Sequence, residues 1–286
     1  MKLKSTVART VVGRAVAIAA MFLISNAAMA ERYVRYEQNG NVSWGELVDG
    51  TIHQLSNAPY LGGSRTGQTA NESSVKLKAP VDPKLSFMTA FNYSDHKTET
   101  FGITKDTTKQ PGLFTVPVSS IIGPGEDMVR PAGASNFHYE AEMVVVIGKR
   151  AENVSLEDAS DYIFGVTIGN DGSERDWQAN DIQWTRAKGS KNFNPVGPHL
   201  VTGLDYTDLD IEGRHNGVKT QGANSSGMIF NFNYMVHYIS QYFTLEPGDV
   251  IWSGTMGDTG PMAPGDTYEI TVEGIGTLKN KLVQGK

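Results

Sequence analysis

Glu140 and Glu142 flank one alanine at the head of an apolar run, Met143-Val144-Val145-Val146-Ile147. Side chains alternate along a strand, so residues two apart share a face. Two carboxylates therefore stand side by side where a buried strand begins. Like charges this close repel, and burial raises the cost of each. A hard divalent cation that takes oxygen ligands, such as Mg²⁺ or Mn²⁺, removes both costs. A solvated strand end, with both acids facing water, removes them as well. Asp171 follows the apolar stretch 163–168, in Gly169-Asn170-Asp171-Gly172. A carboxylate there either completes a three-carboxylate site with open positions for water and substrate, or caps the next turn.

Cations and hydroxyls lie close by in sequence. Arg175 opens Arg175-Asp176-Trp177-Gln178, and Lys188 sits in Trp184-Thr185-Arg186-Ala187-Lys188. Arg and Lys suit oxyacids, although either residue also serves as a plain surface charge. His96 and Glu99 are three apart, which on a helical turn sets them on one face. A carboxylate that orients an imidazole fixes its tautomer and raises its basicity, so the pair can activate water. As an exposed pair it contributes only a few tenths of a kcal/mol, roughly. His138 shares the expected strand face of Glu140 and Glu142, as a ligand, a supporting donor or a structural residue. Thr255 is a glycine-flanked hydroxyl after an apolar stretch, placed to touch a carboxylate or to make a turn. No phosphate-binding loop, dinucleotide fingerprint, HExxH or GxSxG is present.

The elements that position these residues are mainly strands. Residues 31–55 read as a three-stranded meander turned at Asn39-Gly40 and Asp49-Gly50, dipeptides that supply the positive φ of two-residue hairpins. Too short to bury a core alone, it must pack on the main body. Residues 56–74 read as a polar linker, so the small N-terminal β unit and its linker cover 31–74 and the catalytic body covers 75–286. The continuous apolar run at 143–147 implies a strand covered on both faces. Residues 233–243 form the clearest helix, with Met235, Tyr238, Ile239 and Tyr242 on one stripe. Pro247-Gly248-Asp249 and Pro264-Gly265-Asp266 are turns before further strands.

Composition narrows the class. Residues 1–30 combine a basic start, a short apolar core and Ala28-Met29-Ala30, which reads as a secretory signal peptide cleaved before Glu31. The expectation is an exported protein of the bacterial periplasm. No other stretch is long and apolar enough to span a membrane. Removing that segment takes the net charge from −6 to −10, because it holds four basic residues and no acid. An acidic surface argues against nucleic acid or anionic membrane as a partner. The absence of cysteine excludes disulfides, thiolate metal sites and a cysteine nucleophile.

Together these pieces resemble the fumarylacetoacetate hydrolase family over nearly all of the chain after residue 30. The N-terminal Arg32-Tyr33-Val34-Arg35-Tyr36-Glu37 is similar to the small domain that precedes many bacterial members. Asn92-Tyr93-x-Asp95-His96-x-x-Glu99 resembles the family's lid motif, and Tyr139-Glu140-x-Glu142-Met143 its metal strand. Asn170-Asp171-x-Ser173-x-Arg175-Asp176-x-Gln178 and Gln183-Trp184-Thr185-Arg186-x-Lys188 follow in order. So do Asn224-x-Ser226-x-Met228, Leu245-x-Pro247-Gly248-Asp249 and Gly274-Ile275-Gly276-Thr277-Leu278-x-Asn280. The resemblance implies a mixed, mainly β fold: a β-sandwich roll with few short helices, preceded by the β-meander. It implies Mg²⁺ or Mn²⁺ on Glu140, Glu142 and Asp171. It sets Arg175, Gln178, Lys188 and Thr255 around a 2-oxo acid substrate, makes His96 and Glu99 a water-activating pair, and implies a homodimer.

Two departures stand out. The family's lysine before proline is Val116 here, in Phe114-Thr115-Val116-Pro117, and its proline after Gly-Thr is Met256. The expected reaction is hydrolytic C–C cleavage of an acylpyruvate-like 2,4-dioxo acid through a metal-stabilised enolate. Decarboxylation of a 2-oxo acid, or isomerisation of a 2-hydroxy-diene-dioate, would use the same enolate. A non-catalytic exported binder of 2-oxo acids is the reading that the missing lysine favours.

Overall fold

The computed structural model describes residues 30–96 and 109–286. The signal segment, except Ala30, and Glu99 of the expected His96–Glu99 pair lie outside the described residues.

The chain opens with β1 (Arg32–Gln38), β2 (Asn41–Val48) and β3 (Thr51–Leu55), an antiparallel meander. Asn39 and Gly40 take φ of +53° and +78°, and Asp49 and Gly50 take +47° and +77°. Paired positive φ gives the turn twist that matches right-handed strands, so both turns form where the sequence places them. The expected linker is partly strand: β4 (Arg65–Asn71) pairs with β3. Six of its seven residues are exposed, so no apolar alternation marks it and backbone pairing alone defines it.

The meander is hydrogen-bonded into the main sheet rather than merely packed on it. One edge of β1 is shared. Arg32 and Tyr33 pair with β14 (Asn194–Val201), and Arg35 to Glu37 pair with β5 (Lys76–Lys78). The sheet continues from β14 through β12 (Ile163–Asn170), β11 (Ala141–Ile147), β17 (Val250–Trp252), β6 (Ser86–Ala90) and β7 (Gly112–Thr115), with β8 (Ile121–Ile122) beside β14. A second sheet runs β16 (Val218–Asn224), β15 (Asp210–His215), β18 (Thr267–Val272), β19 (Gly276–Gln284) and β9 (Met128–Arg130). The short strands β10 (Phe137–His138) and β13 (Ser173–Glu174) pair apart from both. The fold is therefore mainly β with few short helices, as the sequence implies.

β11 is buried along its whole length, which explains its unbroken apolar run. Met143, Val145 and Ile147 face one core, with Phe137, Met235 and Ile239. Val144 and Val146 face another, with Trp252, Leu200 and Tyr60, against which Trp44 of the meander packs. Each fully buried aliphatic side chain contributes about 1.5–3 kcal/mol, so both layers are needed to hold this strand. The helix Phe232–Ser240 is capped by Asn231, whose Oδ1 accepts the Tyr234 N–H at 2.9 Å. Met235, Val236 and Ile239 are its buried face, but Tyr242 lies past the helix end and is 68% exposed, outside the expected stripe.

Glu126 clasps β5, the strand that pairs with β1 of the meander, to the body. Its Oε1 accepts Lys78 Nζ and lies 3.0 Å from Lys76 Nζ, while its Oε2 accepts the Gly123 N–H at 2.8 Å. Burial opposes ionisation of this carboxyl, but the lysines and the amide outweigh it and hold it down at about 2 against an ordinary 4.5. The clasp is thus complete above pH 4.5 and is lost as pH falls through about 2. Glu126→Gln is expected to cost about 1–2 kcal/mol at pH 7, allowing for solvent screening of the lysines. Urea unfolding at several pH values checks this: the gap between wild type and variant should close as pH falls across that window, and a constant gap would remove charge from the explanation.

Candidate metal centre and substrate cleft

The register of β11 on β12 assembles the acids. Ala141 pairs with Asn170 and Glu142 with Gly169, so the start of one strand meets the end of the other. The Glu140 N–H donates to Asn170 Oδ1 at 3.0 Å, and the Asp171 N–H donates to the Glu140 carbonyl at 3.0 Å. Glu140, Glu142 and Asp171 are each 2% exposed, and a carboxylate oxygen from each lies within 4.8 Å of the others. Glu142 Oε2 also accepts the Gly254 N–H at 2.9 Å. Gly254 has φ +76°, and a Cβ there would fall 2.7 Å from the Thr89 carbonyl oxygen, so only glycine turns that amide toward the acid.

The cations come from two short helices between β13 and β14. Arg175 begins the helix Arg175–Asn180, and Lys188 lies in the helix Thr185–Gly189. Lys188 Nζ donates to Glu140 Oε2 at 2.7 Å and to Asp171 Oδ2 at 2.6 Å. Arg175 Nη2 is 2.6 Å from Glu140 Oε1, and its Nη1 donates to Gln178 Oε1 at 2.7 Å. Three buried carboxylates thus face two cations. Burial opposes ionisation of Glu140, yet Lys188 and Arg175 outweigh it and hold the acid well below its usual range. Burial, then the charges of Asp171 and Glu140, push Glu142 well above its usual range. Burial pushes Asp171 up to about 7 against the pull of Lys188. Asp171 Oδ1 is buried with no hydrogen-bond partner among the described residues. An all-oxygen donor set with more carboxyl groups than cations and an unused buried oxygen fits a hard divalent cation.

His96 Nε2 lies 3.9 Å from Glu140 Oε1. Burial lowers its pKa to about 4, and Arg175 and Lys188 add to this against Glu140, so the imidazole is neutral at pH 7 and can accept a proton. Thr255 Oγ1 donates to the Ala141 carbonyl at 2.9 Å and accepts from Gln221 Nε2 at 3.1 Å. His96, Glu140, Asp171, Gln178, Lys188 and Thr255 line one cleft of about 260 Å³, walled by Phe91, Phe114 and Trp184. Glu142 is not among the lining residues and reaches the acids from β11. Every site residue expected from the sequence, apart from Glu99, is brought together.

His138 is not grouped with the three acids. It belongs to β10, and its Nε2 bonds to Asn136 Oδ1 at 2.8 Å, the structural role that the sequence also allows. The chain leaves the strand path between β10 and β11, which breaks the alternation that the sequence suggests. Gln221 is a residue that sequence reasoning missed. Its Oε1 accepts the Ala141 N–H at 2.9 Å and the Tyr268 O–H at 2.7 Å, while its Nε2 reaches Thr255 Oγ1 and the Gly257 carbonyl. It ties the acidic strand to the late glycine loop, and no local pattern in β16 marks it. Val116, where the family has lysine, is buried and packs behind Lys188: a Cβ on Gly189 would lie 3.2 Å from the Val116 Cβ. Met256 is buried, with its carbonyl accepting Gln221 Nε2 at 3.1 Å.

Comparison with known proteins agrees with this architecture. Residues 86–283 match the family model described as fumarylacetoacetate (FAA) hydrolase C-terminal, and residues 31–80 match Rv2993c-like, N-terminal. Protein Rv2993c of Mycobacterium tuberculosis is 41% identical over 243 residues, covering 84% of this chain and 91% of that protein. The oxaloacetate tautomerase fahd2, mitochondrial, of Xenopus laevis is 33% identical over 226 residues, covering 74% and 70%. The crystal structure of 2-hydroxyhepta-2,4-diene-1,7-dioate isomerase from Mycobacterium marinum superposes with a TM-score of 0.81 at 38% identity, covering 90% of this chain and all of that one. With matches on both sides of residue 80 and the acids, cations and cleft in one place, the chain belongs to the fumarylacetoacetate hydrolase family.

Proposed function

We propose that this protein is a metal-dependent hydrolase that cleaves a C–C bond of an acylpyruvate-like 2,4-dioxo acid. The observation that carries the reading is the His96 imidazole in the same cleft as the buried acidic triad, its Nε2 3.9 Å from Glu140 Oε1. A divalent ion such as Mg²⁺ or Mn²⁺, held by Glu140, Glu142 and Asp171, would polarise the substrate's oxo group and offset the negative charge that develops there. Arg175 and Gln178 supply donors for the 1-carboxylate and 2-oxo oxygens, and Thr255 joins them by turning its O–H from the Ala141 carbonyl. His96 takes a proton from water, whose oxygen adds to the C4 carbonyl. The C3–C4 bond then breaks, its electron pair passes to C3 as the enolate of pyruvate, and the acyl group leaves as a carboxylic acid. Lys188 stabilises the enolate charge, and the proton held by His96 returns to C3. Glu99 would orient His96 in this scheme.

The isomerase and tautomerase relatives support a second reading that uses the enolate without attack by water. Product analysis separates the two. With Mg²⁺ or Mn²⁺, acetylpyruvate should give equal amounts of acetate and pyruvate. Turnover of oxaloacetate or of a 2-hydroxy-diene-dioate, with acetylpyruvate untouched, would transfer the assignment to decarboxylation, tautomerisation or isomerisation.

A further inference from the structure

Of the about 260 Å³ in the cleft over the acids and its mouth, only about 10 Å³ is open to a water-sized sphere, far below the usual size of a small-molecule site. A small acid head enters it only as the lining side chains adjust, and a bulky tail has no space there. A second cavity, about 840 Å³ including its open mouth, is walled by Phe91, Pro111 and Phe230, with Lys109 and Gln110 among its other lining residues. Ala90 and Phe91 line both cavities. Ala90 offers a methyl group only, so among the described residues the large side chain common to both is the Phe91 ring.

That ring is held in an unusual way. Phe91 takes φ +57°, a left-handed conformation that a bulky residue rarely adopts. Its neighbour Asn92 fixes the backbone: Nδ2 donates to the Phe230 carbonyl at 2.9 Å and the Ser253 carbonyl at 2.7 Å, and Oδ1 accepts the Phe230 N–H at 2.8 Å. The ring meets Trp184 edge-on at 5.9 Å and lies 6.4 Å from the His96 imidazole. Strain of this kind persists where the surroundings over-determine it, and it clusters at functional sites. On the far side Phe230 stacks on Tyr234 at 5.2 Å, giving the second cavity an aromatic wall.

We propose that Phe91 is a specificity-determining residue: its ring closes the 2-oxo acid cleft against the aromatic-walled cavity, so the protein prefers short tails and admits an aryl tail when the ring is removed. The inference rests on the reading of the cleft as a 2-oxo acid site and is independent of which bond the enzyme breaks. The test is calorimetric binding to the Mn²⁺-loaded protein of two acids without a 4-oxo group, 2-oxobutanoate and 2-oxo-4-phenylbutanoate. Phe91→Gly suits the left-handed backbone, so the fold is retained. It should shift the affinity ratio toward the phenyl acid by about tenfold or more, with Phe91→Leu between it and wild type, since small changes in pocket volume are read on this scale. If wild type binds the short acid and the ratio is unchanged in both variants, the role of Phe91 is overturned. If wild type binds neither acid, the 2-oxo acid reading falls and this inference falls with it. Failure to hydrolyse acetylpyruvate, with binding and ratios as expected, would count against hydrolysis alone.

Discussion

Glu142→Gln should lower metal-dependent turnover by about 10³-fold or more, because the metal's stabilisation of transition-state charge is worth several kcal/mol. The same variant should fold as well as wild type. The side-chain amide oxygen can still accept the Gly254 N–H that Glu142 Oε2 accepts at 2.9 Å. Burial and two neighbouring carboxylates already push Glu142 well above its usual range, so glutamine resembles the acid's favoured neutral form. For a group whose pKa is raised on folding, ionisation costs stability as pH rises, and glutamine avoids that cost. In chelator, the melting temperature of the variant should therefore equal or exceed that of wild type. Excess Mg²⁺ or Mn²⁺ should raise only the wild type strongly, since a ligand at a hundred times its Kd stabilises by about 2.7 kcal/mol. Full activity in the variant, independent of metal, would sink the assignment of the triad.

Lys188→Met should have the opposite balance of effects. The methionine keeps much of the length but removes the ammonium that bonds Glu140 and Asp171 at 2.7 and 2.6 Å in a nearly solvent-free setting. Breaking a buried ion pair by removing one partner costs about 3–5 kcal/mol, because the remaining charge is uncompensated. For a chain of this size that is a fall in melting temperature of about 10 °C in chelator. Added Mg²⁺ or Mn²⁺ should restore much of it, because the ion supplies the missing positive charge. Turnover should stay low even then, by about 10²–10³-fold, because the donor that meets the enolate is gone. A chelator melting temperature equal to that of wild type would show that Lys188 does not balance the acids, and full turnover in metal would show that it does not act on the substrate.

The site was more legible in the sequence than its supports were. Two acids separated by one residue before a continuous apolar run encode both a strand and a shared face, and β11 delivers both. Asp171 is legible as a strand-end carboxylate, but what places it is the pairing of Ala141 with Asn170, a contact across 29 residues that no local pattern states. Gln221 is hidden for the same reason: its bonds reach Ala141, Thr255 and Tyr268, all distant in sequence. β4 escapes because an exposed strand needs no apolar alternation. The β15–β16 hairpin turns at Asn216 and Gly217, φ +51° and +82°, the same dipeptide signal as in the meander, so that element is legible in the sequence. His138 keeps the structural role that the sequence allows, because alternation with the acids holds only while the chain stays in one strand, and β10 ends before β11 begins.

The two signs of charge in the cleft ride on different parts of the fold. Glu142 is within β11, and Glu140 and Asp171 sit at the joined ends of β11 and β12, where moving one acid means moving a buried strand. Arg175, Gln178 and Lys188 all lie on two short helices inserted between β13 and β14. Heredity can therefore treat them separately only in part. Substitutions at Gln178, which bonds Arg175, can change the donors of the cleft, whereas Lys188 and Arg175 bond the acids directly and drift in the sheet moves the acids themselves. A lineage built this way can diversify its substrates while its metal chemistry stays fixed.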